Sequence, residues 1–519
     1  MSPIDYIIIG IYIVGLLSLG YFFKSQTDGT SYYLGGKSFG WFPLTLSTAA
    51  TQLSAISFIS APAFVGLKEG GGMKWLTFEL GVPVAMIFLM VFLIPALYKA
   101  NIVSIYSFLE RRFGGTSRTL ISVVFQLSRA FATSVMVYAV ALILEGVMGF
   151  PLYVTILLIG VVTLIYSYQG GMKAVVYGDV IQMILLFGGL IVSTLYALHY
   201  VGGWDAFVAQ VDTDRLDVID FGSVGLTEGD QFGFWPMLLG GFFLYASYYG
   251  TDQTQVQRLL SAKNIGTVQK TLLFNGLVRF PITFCYCLMG LIMGTMVYST
   301  PEFMASIPAD RPDLMVPIFI RDYLPVGVKG LLIVAVLAAA MSSASSAINS
   351  IGATTMEDIV NRKNHLSGAA YVRASRLTAL FWGVVCVILA FFTGNIADTV
   401  IEAINKIGSV FYGPIFATFL SAALIKRING PGANAGLIIG VLVNVYLWLR
   451  VPELFWFWWN LIGTAVAILV ALIVSLAFTG KSGFTVDHDW QDTNWRFVAI
   501  LLVFFLMMVA FDVALPYLF

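Results

Sequence analysis

Fourteen stretches of this 519-residue sequence are long and apolar enough to cross a bilayer, and they exclude a water-soluble globule. A helix needs about 20 mainly apolar residues to span the hydrocarbon core. Such stretches lie near 5–23, 41–66, 75–98, 119–148, 151–168, 177–201, 233–257, 271–297, 328–354, 375–397, 401–424, 433–450, 459–479 and 495–517. Hydrophobic residues make up 59% of the chain and charged residues only 11%, less than half the share in a soluble domain. So much apolar surface must face lipid. The sequence therefore predicts an all-α integral membrane protein, multi-pass in a cell membrane such as a bacterial inner membrane.

The charges set the expected orientation. With the N-terminus outside, 18 of the 28 Lys and Arg residues fall in cytoplasmic loops, Arg258 among them; 7, including Lys68, fall in outer loops. That bias predicts both termini outside. The segment 5–23 follows Asp5 and no basic stretch, so it reads as a retained first span rather than a signal peptide. The acidic loop 202–232 reads as a solvated face with short amphipathic helices.

Several function classes drop out. Acidic and basic residues balance at 28 each, which gives nucleic acid no basic surface. Cys285, Cys287 and Cys386 sit in apolar runs without metal-ligand spacing, and His199, His365 and His488 are scattered. No phosphate-binding GxxxxGK[ST] loop occurs, so uphill transport would draw on an ion gradient. Nothing points to an enzyme.

Two spans are too polar for lipid. Residues 47–60 hold seven hydroxyl or amide side chains, with Pro62 after them. Such a span must be buried among helices or line a wet cavity. A break near Ala50–Leu53 would free backbone carbonyls, and hard cations are held by oxygen. In the ninth span Ala339, Ser342, Ser343 and Ser346 share one helix face. The Ala50, Leu53 and Ala339 carbonyls with the Ser342 and Ser343 hydroxyls could complete a five-oxygen sodium site; close packing through small residues is the plainer reading. The seventh span carries Gly240-Gly241, where unwinding is expected, then Tyr245, Tyr248, Asp252 and Gln253. A five-plus-five inverted repeat would pair the second and seventh spans as broken helices at the midplane.

Intramembrane charges each need a reason, since a central charge costs about 2.5–3.5 kcal/mol on insertion scales. Arg129 lies near the midplane of the fourth span. It either faces a solute carboxylate or pairs internally with Glu79 or another span residue. Glu79 could accept solute hydroxyls or pair with a cation. Asp179 could hold a second cation with Ser345 and Ser346, or simply favour a helix N-terminus. Glu402 and Lys406 stand at i, i+4 and could pair. Gln52, Ser57, Tyr248, Asp252 and Lys406 complete the solute-site candidates, and Phe243, Tyr245 and Tyr248 are candidate aromatic gates. Arg279 and Asp512 suggest no partner.

Several motifs together carry a resemblance: Tyr32–Ser38 (YYLGGKS), Leu53–Phe58 (LSAISF), Phe108–Phe113 (FLERRF), Gly170–Gln182 (GGMKAVVYGDVIQ), Gln257–Lys263 (QRLLSAK) and the serine run 342–346. In order and spacing the chain resembles the sodium:solute symporter family. The resemblance implies a leucine-transporter-like 5+5 inverted repeat in one polytopic domain, with 5–23 as an extra helix, repeats at 41–201 and 233–424, and C-terminal helices at 433–519. It implies sodium at Ala50, Leu53, Ala339, Ser342 and Ser343, and in some members a second sodium at Asp179, Ser345 and Ser346. Sugar-carrying members place glutamine where Ser57 stands, although Glu79 matches. Arg129 matches the sialic acid branch, where an arginine faces a carboxylate. The expected function is sodium-driven uptake of a small polar solute by alternating access, as a monomer, with an acidic sugar or monocarboxylate favoured. A neutral sugar or polyol is the alternative solute, proton coupling a rival energy source, and a sensor or channel the other class.

Overall fold

A computed structural model describes residues 1–22, 29–52, 55–227, 229–363, 365–394, 399–480 and 493–519. The main helices are α1 (Pro3–Phe22), α2 (Trp41–Gln52), α3 (Ala55–Gly66), α4 (Trp75–Lys99), α5 (Gly115–Met148), α6 (Leu152–Val201), α7 (Gly241–Thr251), α8 (Gln253–Leu260), α9 (Ile265–Ser299), α10 (Val328–Thr355), α11 (Gly368–Ala390), α12 (Val400–Leu424), α13 (Gly430–Arg450), α14 (Trp458–Ala477) and α15 (Trp495–Ala514). Among the described residues the only β contact is a single bridge between Phe39 and Ala262. Among the described residues, ten helices are long and apolar enough to span a membrane, and the bent pair α2–α3, taken as one span, makes an eleventh.

Burial sorts these helices into interior and lipid-facing sets. In α10, 94% of the most apolar window is buried, against 28% in α11, α14 and α15. The small side chains of Ala338–Ala340 and the following serines let neighbours approach α10 from every side. The sheath helices instead expose large apolar groups such as Phe381, Leu476 and Leu506.

Interruptions fall where sequence reading places them, with shifts. The second span bends by 54° between α2 and α3. The seventh span breaks at Asp252, whose backbone is extended (φ −88°, ψ 122°), and not at Gly240-Gly241. Those glycines instead join a π-turn, Pro236–Gly240, to α7, and Gly240 packs directly against the Phe457 carbonyl. Asp252 caps α8 through the Thr254 amide at 2.8 Å. The spans expected at 151–168 and 177–201 form one helical run, turned at Gly171 (φ 57°, ψ −170°), a conformation open to glycine.

α3 and α9 cross backbone to backbone. A carbon added at Gly66 would lie 2.5 Å from the Gly290 carbonyl oxygen, and one at Gly294 would lie 2.7 Å from the Gly66 Cα. Only glycine permits that approach. Among its described residues the connection 202–232 carries a short α-helix, Trp204–Gln210, and a 3-10 turn, Thr213–Arg215. It is anchored where Asp220 meets Lys74 at 3.1 Å and Thr77 donates to the Val218 carbonyl at 2.6 Å.

Candidate functional site

The two breaks meet at one cavity. A helix leaves its last four carbonyls without intrahelical partners, and α2 ends at Gln52. The Tyr248 hydroxyl of α7 donates to the Thr51 carbonyl at 3.4 Å, and the Tyr249 hydroxyl donates to Gln52 Oε1. The cavity beside them gives the centres of water-sized spheres about 70 Å³. Gln52 and Ser57 line it from the first broken span, Phe78 from α4, Arg129 from α5, Tyr248 from α7, Arg279 from α9, and Asn405 and Tyr412 from α12.

Arg129 is buried between the rings of Tyr248 and Tyr412, 5.2 and 5.7 Å from their centroids. Its Nε stands 2.8 Å from Asp252 Oδ2, but the N–H does not point along a hydrogen bond. Nη2 donates to the Tyr412 hydroxyl. Arg129 therefore has an internal partner, Asp252 rather than Glu79, and still faces the cavity.

Glu79 is fully occupied by protein. Arg279 Nε and Nη2 reach its two carboxylate oxygens at 3.0 Å each, and Thr283 donates to Oε1 at 3.1 Å. This corrects the expectation that Arg279 has no partner, and it sets Glu79 behind the cavity wall. Asp512 is buried with neither carboxylate oxygen hydrogen-bonded. Lys406 does not line the cavity; its ammonium lies 5.7 Å from the Trp448 ring. Its expected partner Glu402 takes Lys68 at 3.1 Å and the Thr399 hydroxyl at 2.6 Å. Beside that pair, Ser60 Oγ accepts the Ile401 amide at 2.9 Å, so α3 and α12 are pinned at this end of the cavity. Of the expected gates, Tyr248 lines the cavity, Tyr245 stacks on Phe78 at 4.5 Å, and Phe243 packs on Phe416 at 6.0 Å.

Around the expected sodium position, Ala50, Ala339 and Ser343 are buried, and Ser343 Oγ donates to the Ala50 carbonyl at 3.4 Å. The α2 terminus and the small-residue face of α10 thus approach each other with oxygen donors between them. Leu53 and the Ser342 side chain lie outside the described residues.

At the expected second cation position, Asp179, Ser345 and Ser346 are all buried, and a guanidinium already joins Asp179 to Ser346. Arg258 Nη2 donates to Asp179 Oδ2 at 2.8 Å and to Ser346 Oγ at 2.6 Å. Arg258 Nε donates to Ser47 Oγ at 2.8 Å, and Ser47 donates to Asp179. The sequence puts Arg258 in a loop, whereas in the structure it is buried, 1% exposed. Every residue of its helix, Gln253–Leu260, is buried with it.

The model of the sodium:solute symporter family matches residues 32–440. The chain belongs to the sodium:solute symporter family. This symporter is 26% identical over 452 residues to the sodium-coupled monocarboxylate transporter 2 of Mus musculus, covering 85% of this chain and 72% of the relative. It is 27% identical over 430 residues to the sodium/iodide cotransporter of Homo sapiens, covering 81% of this chain and 65% of the relative. Among solved structures, a substrate-bound, outward-open Na⁺-coupled sialic acid symporter superposes with a TM-score of 0.82 at 25% identity, over 93% of this chain and all of the other. The symporter is therefore a leucine-transporter-type helical protein that couples sodium to the movement of a solute.

Proposed function

We propose that the protein takes up a small monocarboxylate with sodium. One observation carries this reading: a buried guanidinium, Arg129, faces a cavity at the meeting of two broken helices. Its fork suits a carboxylate, and Asp252 and Tyr412 hold it in place.

Size and charge narrow the solute. At roughly 10–15 Å³ per water by this measure, a cavity of about 70 Å³ holds a handful of waters, the scale of a short-chain acid. An acidic sugar needs a wider conformation. The charges around the cavity pair off as Arg129 with Asp252 and Arg279 with Glu79. One sodium then leaves room for one monoanion. The relatives named for monocarboxylate and iodide, and the neighbour named for sialic acid, carry anions by those names. A neutral hexose or polyol is disfavoured, because both Glu79 oxygens already accept hydrogen bonds.

Sodium is assigned to the carbonyls of Ala50, Leu53 and Ala339 and the hydroxyls of Ser342 and Ser343. A second sodium at Asp179, Ser345 and Ser346 requires Arg258 to withdraw. Repeats at 41–201 and 233–424 fit a break in each, between the helices Trp41–Gln52 and Ala55–Gly66 and at Asp252. The protein acts as a monomer in the cell membrane with both termini outside, moving sodium and solute inward by alternating access. Sodium binding favours the assembled pocket, and the coupling is reciprocal.

Proteoliposome uptake of radiolabelled propionate tests the reading. Uptake should follow an inward sodium gradient, fail with lithium or a proton gradient alone, and vanish in Arg129→Gln. Sodium-driven propionate uptake by Arg129→Gln with unaltered half-saturation would sink it.

A further inference from the structure

Pro414 lies inside α12, just after the cavity-lining Tyr412. Proline has no peptide N–H, so the Val410 carbonyl, one turn back, loses the donor that an α-helix would give it. Val410 is buried, and a buried carbonyl left without a donor is costly. Another helix supplies the missing donor. Asn444 Nδ2 of α13 donates to the Val410 carbonyl at 3.0 Å and to the Ser409 carbonyl at 3.1 Å. Two α14 side chains grip the same turn. Asn460 Nδ2 donates to Ser409 Oγ at 2.9 Å, and Thr464 donates to the Gly413 carbonyl at 3.1 Å.

The packing leaves room for this arrangement. A carbon added at Gly440 of α13 would lie 3.0 Å from Pro414 Cγ, and one at Gly463 of α14 would lie 2.4 Å from Asn444 Nδ2. A side chain at 463 would push the amide off the two carbonyls. Asn444 Oδ1 has no hydrogen-bond partner, so it is the NH₂ end of this side chain that the turn uses. The gripped turn carries Tyr412. Its ring lies over Gly408, where an added carbon would stand 2.5 Å from Cε2. Its carbonyl accepts the Ser247 hydroxyl at 2.8 Å, and its own hydroxyl accepts from Arg129 Nη2. The orientation of the turn therefore sets where Tyr412 meets the cavity arginine.

We infer that Asn444 is a positioning residue for solute binding: it stands in for the peptide donor that Pro414 removes, and so holds Tyr412, and through it Arg129, in the orientation the solute meets. This rests on the reading of Arg129 as the carboxylate site above. None of the described residues of α13 and α14 lines the cavity; these helices act on it through α12.

The test is sodium-driven propionate uptake by proteoliposomes. Asn444→Leu keeps the side-chain volume and removes the donor. Its propionate half-saturation should rise roughly tenfold, the scale of one lost hydrogen bond to a charged group, with the maximal rate largely kept. Pro414→Ala restores a peptide N–H to the Val410 carbonyl, so Asn444→Leu/Pro414→Ala should return to the half-saturation of Pro414→Ala alone. Residues that act through one contact are not additive, so Asn444→Leu should add little to a Tyr412→Phe protein. If Asn444→Leu does not fold, the same two proline variants decide: the double variant should fold and match Pro414→Ala. A half-saturation unchanged by Asn444→Leu, a defect that Pro414→Ala does not rescue, or full additivity with Tyr412→Phe overturns the inference and leaves the carboxylate reading standing. Absence of sodium-driven propionate uptake by the wild-type protein overturns both.

Discussion

Asp252 meets two demands at once: Oδ1 caps α8 through the Thr254 amide at 2.8 Å, and Oδ2 lies 2.8 Å from Arg129 Nε. The helix break and the cavity arginine are therefore held by one carboxylate. Asp252→Asn should keep the cap and lose the counter-charge. Breaking a buried pair costs about 3–5 kcal/mol, so melting temperature in detergent should drop. The uncompensated Arg129 should then gain more from an anion. Propionate with sodium should raise the melting temperature of Asp252→Asn by more than it raises that of the wild type. An equal or smaller shift would remove Arg129 from the carboxylate site.

At the α2–α10 contact, Ser343→Ala removes one hydroxyl oxygen from the proposed sodium set while α10 stays intact. Sodium half-saturation for uptake should rise roughly tenfold, on the scale of one lost bond to a charged group. Solute affinity at saturating sodium should change little. A sodium dependence identical to wild type would move the ion elsewhere.

Arg258 bears on the second ion. Its guanidinium holds Asp179 Oδ2 and Ser346 Oγ, two of the groups a second sodium would use. If the two cations exchange there, Arg258→Gln should lower sodium half-saturation or steepen its cooperativity, and adding Asp179→Asn should abolish that gain. An Arg258→Gln protein that transports with the wild-type sodium curve would mean that no second sodium binds at these groups.

Asp313 gives a pH signature. It lies in the connection between α9 and α10, buried, with Oδ2 accepting the Val400 amide at 2.9 Å and Oδ1 unpartnered. Burial pushes its carboxyl up to about 6, against the Ser60 and Val400 hydrogen bonds that favour the anion. An unfolded aspartate titrates near 3.9. Between those values the folded state holds the extra proton, so stability falls as pH rises through this window and levels off above about 6. Asp313→Asn should stabilise relative to wild type more at pH 7 than at pH 4.5, read as the difference in melting temperature. A difference that does not depend on pH would refute this.

The broken second span was legible because seven polar side chains between 47 and 60 cannot face lipid, and the helices Trp41–Gln52 and Ala55–Gly66 meet at a 54° bend. The seventh span was legible as irregular but not in detail. Its glycines drew attention, yet the break falls at Asp252, where an extended residue can cap the following helix. Pairings were the illegible part. Arg279 and Glu79 are 200 residues apart, and periodicity assigns each to a helix face without saying which faces meet. Arg258 and Lys68 were counted as loop charges because they sit near span ends. Both are drawn inward by buried carboxylates, Asp179 and Glu402. Asn405 and Tyr412 were missed in the cavity wall for the same reason: on sequence alone, α12 has no side marked as inner.

Gly66, Gly290 and Gly294 leave no gap between α3 and α9, so Ser57 and Arg279 are carried on two helices packed backbone to backbone. α3 and α12 are joined instead by polar contacts, Lys68 with Glu402 and Ser60 Oγ accepting the Ile401 amide, rather than by backbone-to-backbone packing. Tyr412 sits on the far side of that joint. A passenger gripped from both banks resists their separation, whereas one touching a single bank is simply carried along.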